Sequence, residues 1–217
     1  MPRQASFDMI PSPARNHAQD AWASPIRSTQ LEHVTDEVPQ RPRRRLRPSE
    51  IREAQGVFAS EIPYGQIWIH EHARWPNWIA SAGAALSRRP APAGGNSVTL
   101  GWNVYFPHPL RTEAAHLEAR LFGDMAWLIH ELAHVWQHGH GGYRYAWVAV
   151  REQIKLGAAA YVYGGEAGLR AAIAAHASLS DFNPEQQADV ARDYYLRRKV
   201  DASTAAWEPF IAELRAV

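Results

Sequence analysis

The chain has 217 residues, a net charge of +1 with neutral histidines, 46% hydrophobic residues, nine tryptophans and no cysteine. That length fits one packed domain with a tail, and the near-zero charge nominates neither nucleic acid nor an acidic membrane as partner. Without cysteine, disulfides, iron–sulfur clusters and thiolate-held zinc are excluded, so any zinc site must use His and carboxylates.

The first twenty-odd residues lack an apolar core of signal-peptide type, so no Sec signal is expected and the chain is expected to start in the cytoplasm. No run reaches the ~20 apolar residues that a membrane-spanning helix needs. Residues 1–50 scatter proline and polar residues without a period and end in RPRRRLRP at 41–48. They read as a basic, proline-rich, flexible tail, with residues 51–217 forming the folded domain. The arginines read as a solvated linker, with a nucleic-acid or acidic-lipid patch as the alternative.

From Ile51 the pattern tightens. Gln66 to His70 is β-branched and aromatic and predicts a strand, and Ser97 to Phe106 predicts a second that could pair with it. After Pro109 a long helix is expected, opened by Thr112 and carrying apolar residues at Leu117, Leu121, Met125, Leu128, Leu132 and Val135, with Gly139 and Gly141-Gly142 ending it. Further helices are expected over Arg144 to about Tyr163, Leu169 to Ala177, Pro184 to Lys199 and Ala205 to Ala216. Pro184 stands in a first turn, where its missing N–H costs nothing.

The long helix expected after Pro109 carries the chemistry. His130-Glu131-Leu132-Ala133-His134 is an HExxH string. Residues four apart on a helix point the same way, so both imidazoles can reach one ion, while Glu131, about 100° round the helix, can reach a water beside it. Two histidines and a glutamate inside an apolar helix are costly unless paired or metal-bound, and this is what separates the string from a coincidence.

A catalytic zinc takes a third protein ligand and keeps one position open. His140 lies ten residues after His130, the metzincin spacing, but position 137 is Gln where that turn requires Gly; His138 and His140 then suit the negative end of a helix. Glu185 is the preferred candidate, because Glu185 and Asp189 are spaced i, i+4 and one carboxylate could bind metal while the other accepts a ring N–H from a liganding histidine. Glu166 and Asp181 stay open as other carboxylates.

HExxH followed by Glu-x-x-x-Asp resembles the gluzincins, the thermolysin-like zinc peptidases. LIHELAHVWQ (128–137) with FNPEQQADVARDYY (182–195), preceded by NVYFP (103–107), is similar to metallopeptidase domains associated with type VI secretion, among them C-terminal extensions of VgrG spikes and stand-alone Vgr-related proteins. The resemblance covers roughly residues 60–199. It implies a mainly helical α+β, zincin-like domain, with a small sheet packed on the HExxH helix and a second ligand-bearing helix. It also implies one zinc ion held by His130, His134 and Glu185, Glu131 as catalytic base, and Asp189 bonded to a liganding histidine from outside.

The expected activity is hydrolysis of peptide or amide bonds, with protein or peptidoglycan peptide as substrate. A type VI spike or an immunity protein is an expected partner, and export by that machine an expected route. A zinc-stabilised adaptor without catalysis is the alternative, opposed by the intact Glu131; a nucleic-acid binder using the arginine run is the third reading, not expected at this charge. Tyr143, Tyr145, Tyr161, Tyr163, Tyr194 and Tyr195 are unranked candidates for stabilising an oxyanion. His70 and His72 share a strand face but read as a polar strand end rather than a second metal site, and Trp127 and Trp136 read as core.

Overall fold

The computed structural model describes residues 43–73, 75, 97–141 and 162–216. The chain divides into two units, Met1–Val38 and Pro39–Val217, and all the described residues belong to the second. Among them are six α-helices and one three-stranded mixed sheet, a mainly helical α+β arrangement as expected.

Helix α1 is Pro48–Phe58, opened by Pro48 and by Glu50, whose Oε2 accepts the Arg47 backbone N–H at 2.7 Å. Its start corrects the expected boundary of the tail, because residues 43–50 belong to the folded unit. Arg44 exchanges two backbone hydrogen bonds with Ile69, at 2.9 and 2.8 Å. Its guanidinium grips both oxygens of Glu50, at 2.8 and 2.9 Å, and reaches Glu71 at 2.7 Å. Glu50 is fully buried and also accepts from Arg47 Nη1 and Thr112 Oγ1. An arginine run that looks like solvated linker therefore supplies the countercharge of a buried carboxylate, which its neighbours in sequence do not reveal. Thr112, the expected helix cap, is used here instead. Residues 1–42 of the expected tail lie outside the described residues.

The sheet has strand order β1-β3-β2. Strand β1 (Trp68–His70) runs parallel to β3 (Asn103–Tyr105) with Ile69 opposite Val104, and β2 (Val98–Leu100) runs antiparallel to β3 with Thr99 opposite Val104. The stretch 97–106, expected as one strand, is thus a hairpin. Gly101 has φ +62°, and a glycine in that conformation at the first turn position gives the two-residue turn whose twist suits a hairpin.

The long helix expected from Thr112 is two. Helix α2 (Ala114–Glu118) ends with Arg120 at φ 60°, Leu121 N–H bonded to His116 O and Arg120 N–H to Leu117 O, the double closure of a Schellman motif. Arginine in place of the usual glycine hides this stop, and Leu121 is left exposed rather than continuing the apolar stripe. Helix α3 then runs Gly123–Gly141 and is buried on several sides, from Met125 through Val135.

Helix α4 is Gly165–Ala174, α5 Pro184–Lys199 and α6 Glu208–Leu214. The bounds of α5 match expectation, since Asn183 accepts the Gln186 N–H at 2.9 Å and Gln186 returns the bond to the Asn183 N–H. The helix expected over Arg144 to about Tyr163 lies outside the described residues apart from 162–163, which are not helical. Helix α5 packs along α3, Gln137 of α3 bonding Gln187 and the Pro184 carbonyl, and β2 lies over α3. This brings the HExxH turn and the first turn of α5 face to face. Among the described residues no helix is long and apolar enough to cross a membrane.

Candidate metal centre

One nitrogen of His130, one of His134 and one carboxylate oxygen of Glu185 lie within 4.8 Å of one another. Glu185 Oε2 is 3.3 Å from His130 Nε2 and 3.6 Å from His134 Nε2. The two imidazoles meet at 79°, their centroids 5.0 Å apart, so their Nε2 atoms approach one point from different directions. A tetrahedral ion with bonds of about 2.1 Å separates its donor atoms by roughly 3.4 Å, so this spacing fits a single metal ion. Among the described residues these three form the one group of this kind.

The far side of each ring is tied down. His130 Nδ1 donates to Asp189 Oδ1 at 2.9 Å, and that carboxylate is itself held by Arg192 Nη1 at 2.5 Å. His134 Nδ1 is 2.8 Å from Gln137 Oε1. With Nδ1 carrying the proton, the Nε2 lone pair of each ring is left for a cation.

Electrostatics point the same way. Burial pulls the His130 imidazole down most strongly, but Asp189, Glu185 and Glu131 outweigh it and lift its pKa to about 10. Burial likewise lowers His134, and the attraction of Glu185 reverses this to a net rise. Glu185 is raised by burial, yet the imidazoles of His134 and His130 hold it well below the usual carboxylate range. A pocket with three carboxylates around two imidazoles demands positive charge, from protons or from a divalent ion.

Glu131 is buried beside the cluster, and both of its oxygens are held, one by the residue before β2 and one by the middle of that strand. Ser97 Oγ donates to Oε1 at 2.6 Å and Thr99 Oγ1 to Oε2 at 2.6 Å, Thr99 also standing 3.3 Å from the Glu131 carbonyl. Sequence reasoning missed Ser97, Thr99, Gln187 and Arg192. The signal for the first two was available: polar residues at i and i+2 of an apolar strand share one face. In the sequence Gln137 stands out only as the residue in place of the metzincin glycine.

The other candidates stand elsewhere. His140 Nδ1 turns back to the Trp136 carbonyl at 2.8 Å on the exposed helix end, and His138 packs edge-on against Trp102. Glu166 pairs with Arg170 and Arg197, and Asp181 with Ser178. His70 bonds Asn103 and stacks on Tyr105, while Glu71 faces Arg44. Tyr163 donates to Asp193 and Tyr194 to Glu208, and Tyr195 is buried in the core; Tyr143, Tyr145 and Tyr161 lie outside the described residues. Trp127 packs against Phe106 at 5.0 Å, as a core residue does, and Trp136 packs against His140.

No family model and no solved structure matches this chain. Among curated proteins it is weakly homologous to the type VI secretion system spike protein VgrG2b of Pseudomonas aeruginosa, 30% identical over 179 residues. The match takes in 79% of this chain and 15% of the spike protein, so the chain spans a small fraction of that relative's length.

Proposed function

We propose that this chain is a zinc-dependent hydrolase of peptide bonds that works in association with type VI secretion. The observation that carries the reading is the convergence of His130 Nε2, His134 Nε2 and Glu185 Oε2 next to a fourth buried group, the Glu131 carboxylate. Two imidazoles and one carboxylate at tetrahedral spacing suit zinc, whereas calcium and magnesium favour oxygen-only sets. When bound, zinc supplies Lewis acidity, polarising a carbonyl and easing the loss of a proton from water.

The chain's own groups do the rest. His130, His134 and Glu185 hold the ion, and Asp189 and Gln137 fix the imidazoles by accepting their Nδ1 protons. Glu131 takes a proton at a carboxylate oxygen from the attacking water and returns it to the departing amine nitrogen. Ser97 and Thr99 keep that carboxylate in one orientation. Similarity to a segment of a spike protein supports a type VI spike as partner and export by that machine; protein or peptidoglycan peptide as substrate, and an immunity protein as a further partner, belong to the same proposal.

A second reading, a zinc-stabilised adaptor domain, draws on the two hydroxyl bonds that tie Glu131 down. The Glu131→Gln variant separates the two. Zinc content by elemental analysis stays at one ion per chain while cleavage of peptide and peptidoglycan-peptide substrates disappears. Unchanged cleavage in that variant sinks the proposed base, and a wild-type chain that takes up no metal sinks the site.

A further inference from the structure

Gln137 and Gln187 are both buried polar residues, and their amides are joined end to end between the two halves of the site. Gln187 Nε2 donates to the backbone carbonyls of Leu179 and Phe182, at 3.1 and 2.8 Å. A backbone carbonyl only accepts, so the Gln187 NH2 group must face this pair and its Oε1 must face the other way. Gln137 Nε2 meets that Oε1 at 3.0 Å and the Pro184 carbonyl at 2.9 Å, two acceptors again. The Gln137 Oε1 is thereby turned to His134 Nδ1, 2.8 Å away, where only an N–H can satisfy it.

We propose that Gln137 and Gln187 form an amide relay whose direction, set by three fixed backbone carbonyls, holds His134 as the Nδ1–H tautomer and so presents Nε2 to the ion. The inference rests on the metal reading above. The relay differs from the support of His130, which leans on the charged Asp189: His134 leans on neutral amides, whose polarity comes from the fold and not from a titrating group. It also spans the site. The Pro184 carbonyl that orients Gln137 belongs to the residue before Glu185, so one amide fixes the facing of a ligand on α3 and the position of the turn carrying the ligand on α5. Gln137 and Gln187 are positioning residues, and neither touches the ion.

The test uses the full chain, 15N-labelled, with zinc as probe. Long-range imidazole spectra of the wild type, zinc-loaded and zinc-free, are expected to show a proton on His134 Nδ1 in both; a zinc-free ring protonated on Nε2 but not on Nδ1, or zinc bonded through Nδ1, overturns the relay. Gln137→Leu is expected to lower zinc affinity about 10- to 100-fold in competition with a chromophoric chelator, and to let His134 sample the other tautomer. Gln187→Leu, which leaves the Pro184 carbonyl in place, is expected to lose less than Gln137→Leu and to keep the Nδ1 proton. A Gln137→Leu protein that is less heat-stable but binds zinc as the wild type does, with an unchanged imidazole spectrum, overturns the proposal in favour of simple packing. Wild-type protein that takes up no zinc yet shows the Nδ1 proton sinks the metal reading while the relay's tautomer stands.

Discussion

Thr99 Oγ1 stands 2.6 Å from Glu131 Oε2, so a strand hydroxyl holds the carboxylate of the motif helix. Sheet and helix are joined at the residue proposed for proton transfer, and Ser97, just before β2, repeats the bond on the other oxygen.

Removing that hydroxyl tests orientation without touching the ligands. A hydrogen bond to a charged group contributes about 1.5–3 kcal/mol, so Thr99→Val is expected to lower kcat at least tenfold with KM little changed. Zinc content stays at the wild-type level, and Thr99→Ser restores most of the rate. Equal rates for Val and wild type, measured on one peptide substrate, refute the clamp.

The carboxylates of α5 differ in kind. Glu185 sits at 3.3 and 3.6 Å from the two Nε2 atoms, whereas Asp189 touches only the rear nitrogen of His130. Asp189→Asn is expected to weaken zinc binding about 10- to 100-fold, and Glu185→Ala to weaken it further still. Competition titration ranks the pair; the reverse order shows that Asp189 is the ligand.

Glu50 is fully buried against Arg44, Arg47 and Thr112. Glu50→Ala removes the buried partner of two guanidinium groups and of the Thr112 hydroxyl, with Glu71 and Glu113 left to hold the arginines. The loss is expected to approach from below the cost of a broken buried pair, about 3–5 kcal/mol. Chemical denaturation is expected to show a loss of that order with zinc stoichiometry unchanged in the folded fraction. A loss under 1 kcal/mol would place this network among ordinary surface pairs.

Alkaline pH acts through the tyrosines. Burial, the leading cause in each case, raises Tyr64, Tyr163 and Tyr195 above the usual phenol value of 10.0, with Glu61, Asp193 and Glu53 respectively adding to it. A raised folded pKa means the contribution to stability is complete below pH 10 and falls as pH rises, because the unfolded phenols ionise first. Denaturation midpoints are expected to hold up to that point and decline beyond it, with part of the tyrosinate absorbance appearing only on unfolding. Full tyrosinate absorbance from a folded chain contradicts this.

Helical period and capping residues made α5 legible to the residue, because Asn183, Pro184 and Gln186 are all local signals. The same logic exposed the histidine pair and the facing of Glu185 and Asp189. It failed where the deciding partner is remote in sequence. Arg44 looks solvated until Glu50 and Glu71 are placed around it, and Thr112 looks like a cap until Glu50 claims its hydroxyl. The hairpin turn was hidden because Val98 to Phe106 keeps strand-forming residues on both sides of Gly101. Ser97 and Thr99 could join Glu131 only once β2 was known to lie over α3.

The pairing of Arg44 with Ile69 gives this domain a load path. Arg44 is tied to β1 by two backbone bonds and to α1 by the guanidinium grip on Glu50, so a pull on it has to break both anchorages. The domain therefore resists being unravelled from that end, and the rate of that rupture, not the equilibrium stability, sets how fast it gives way under force.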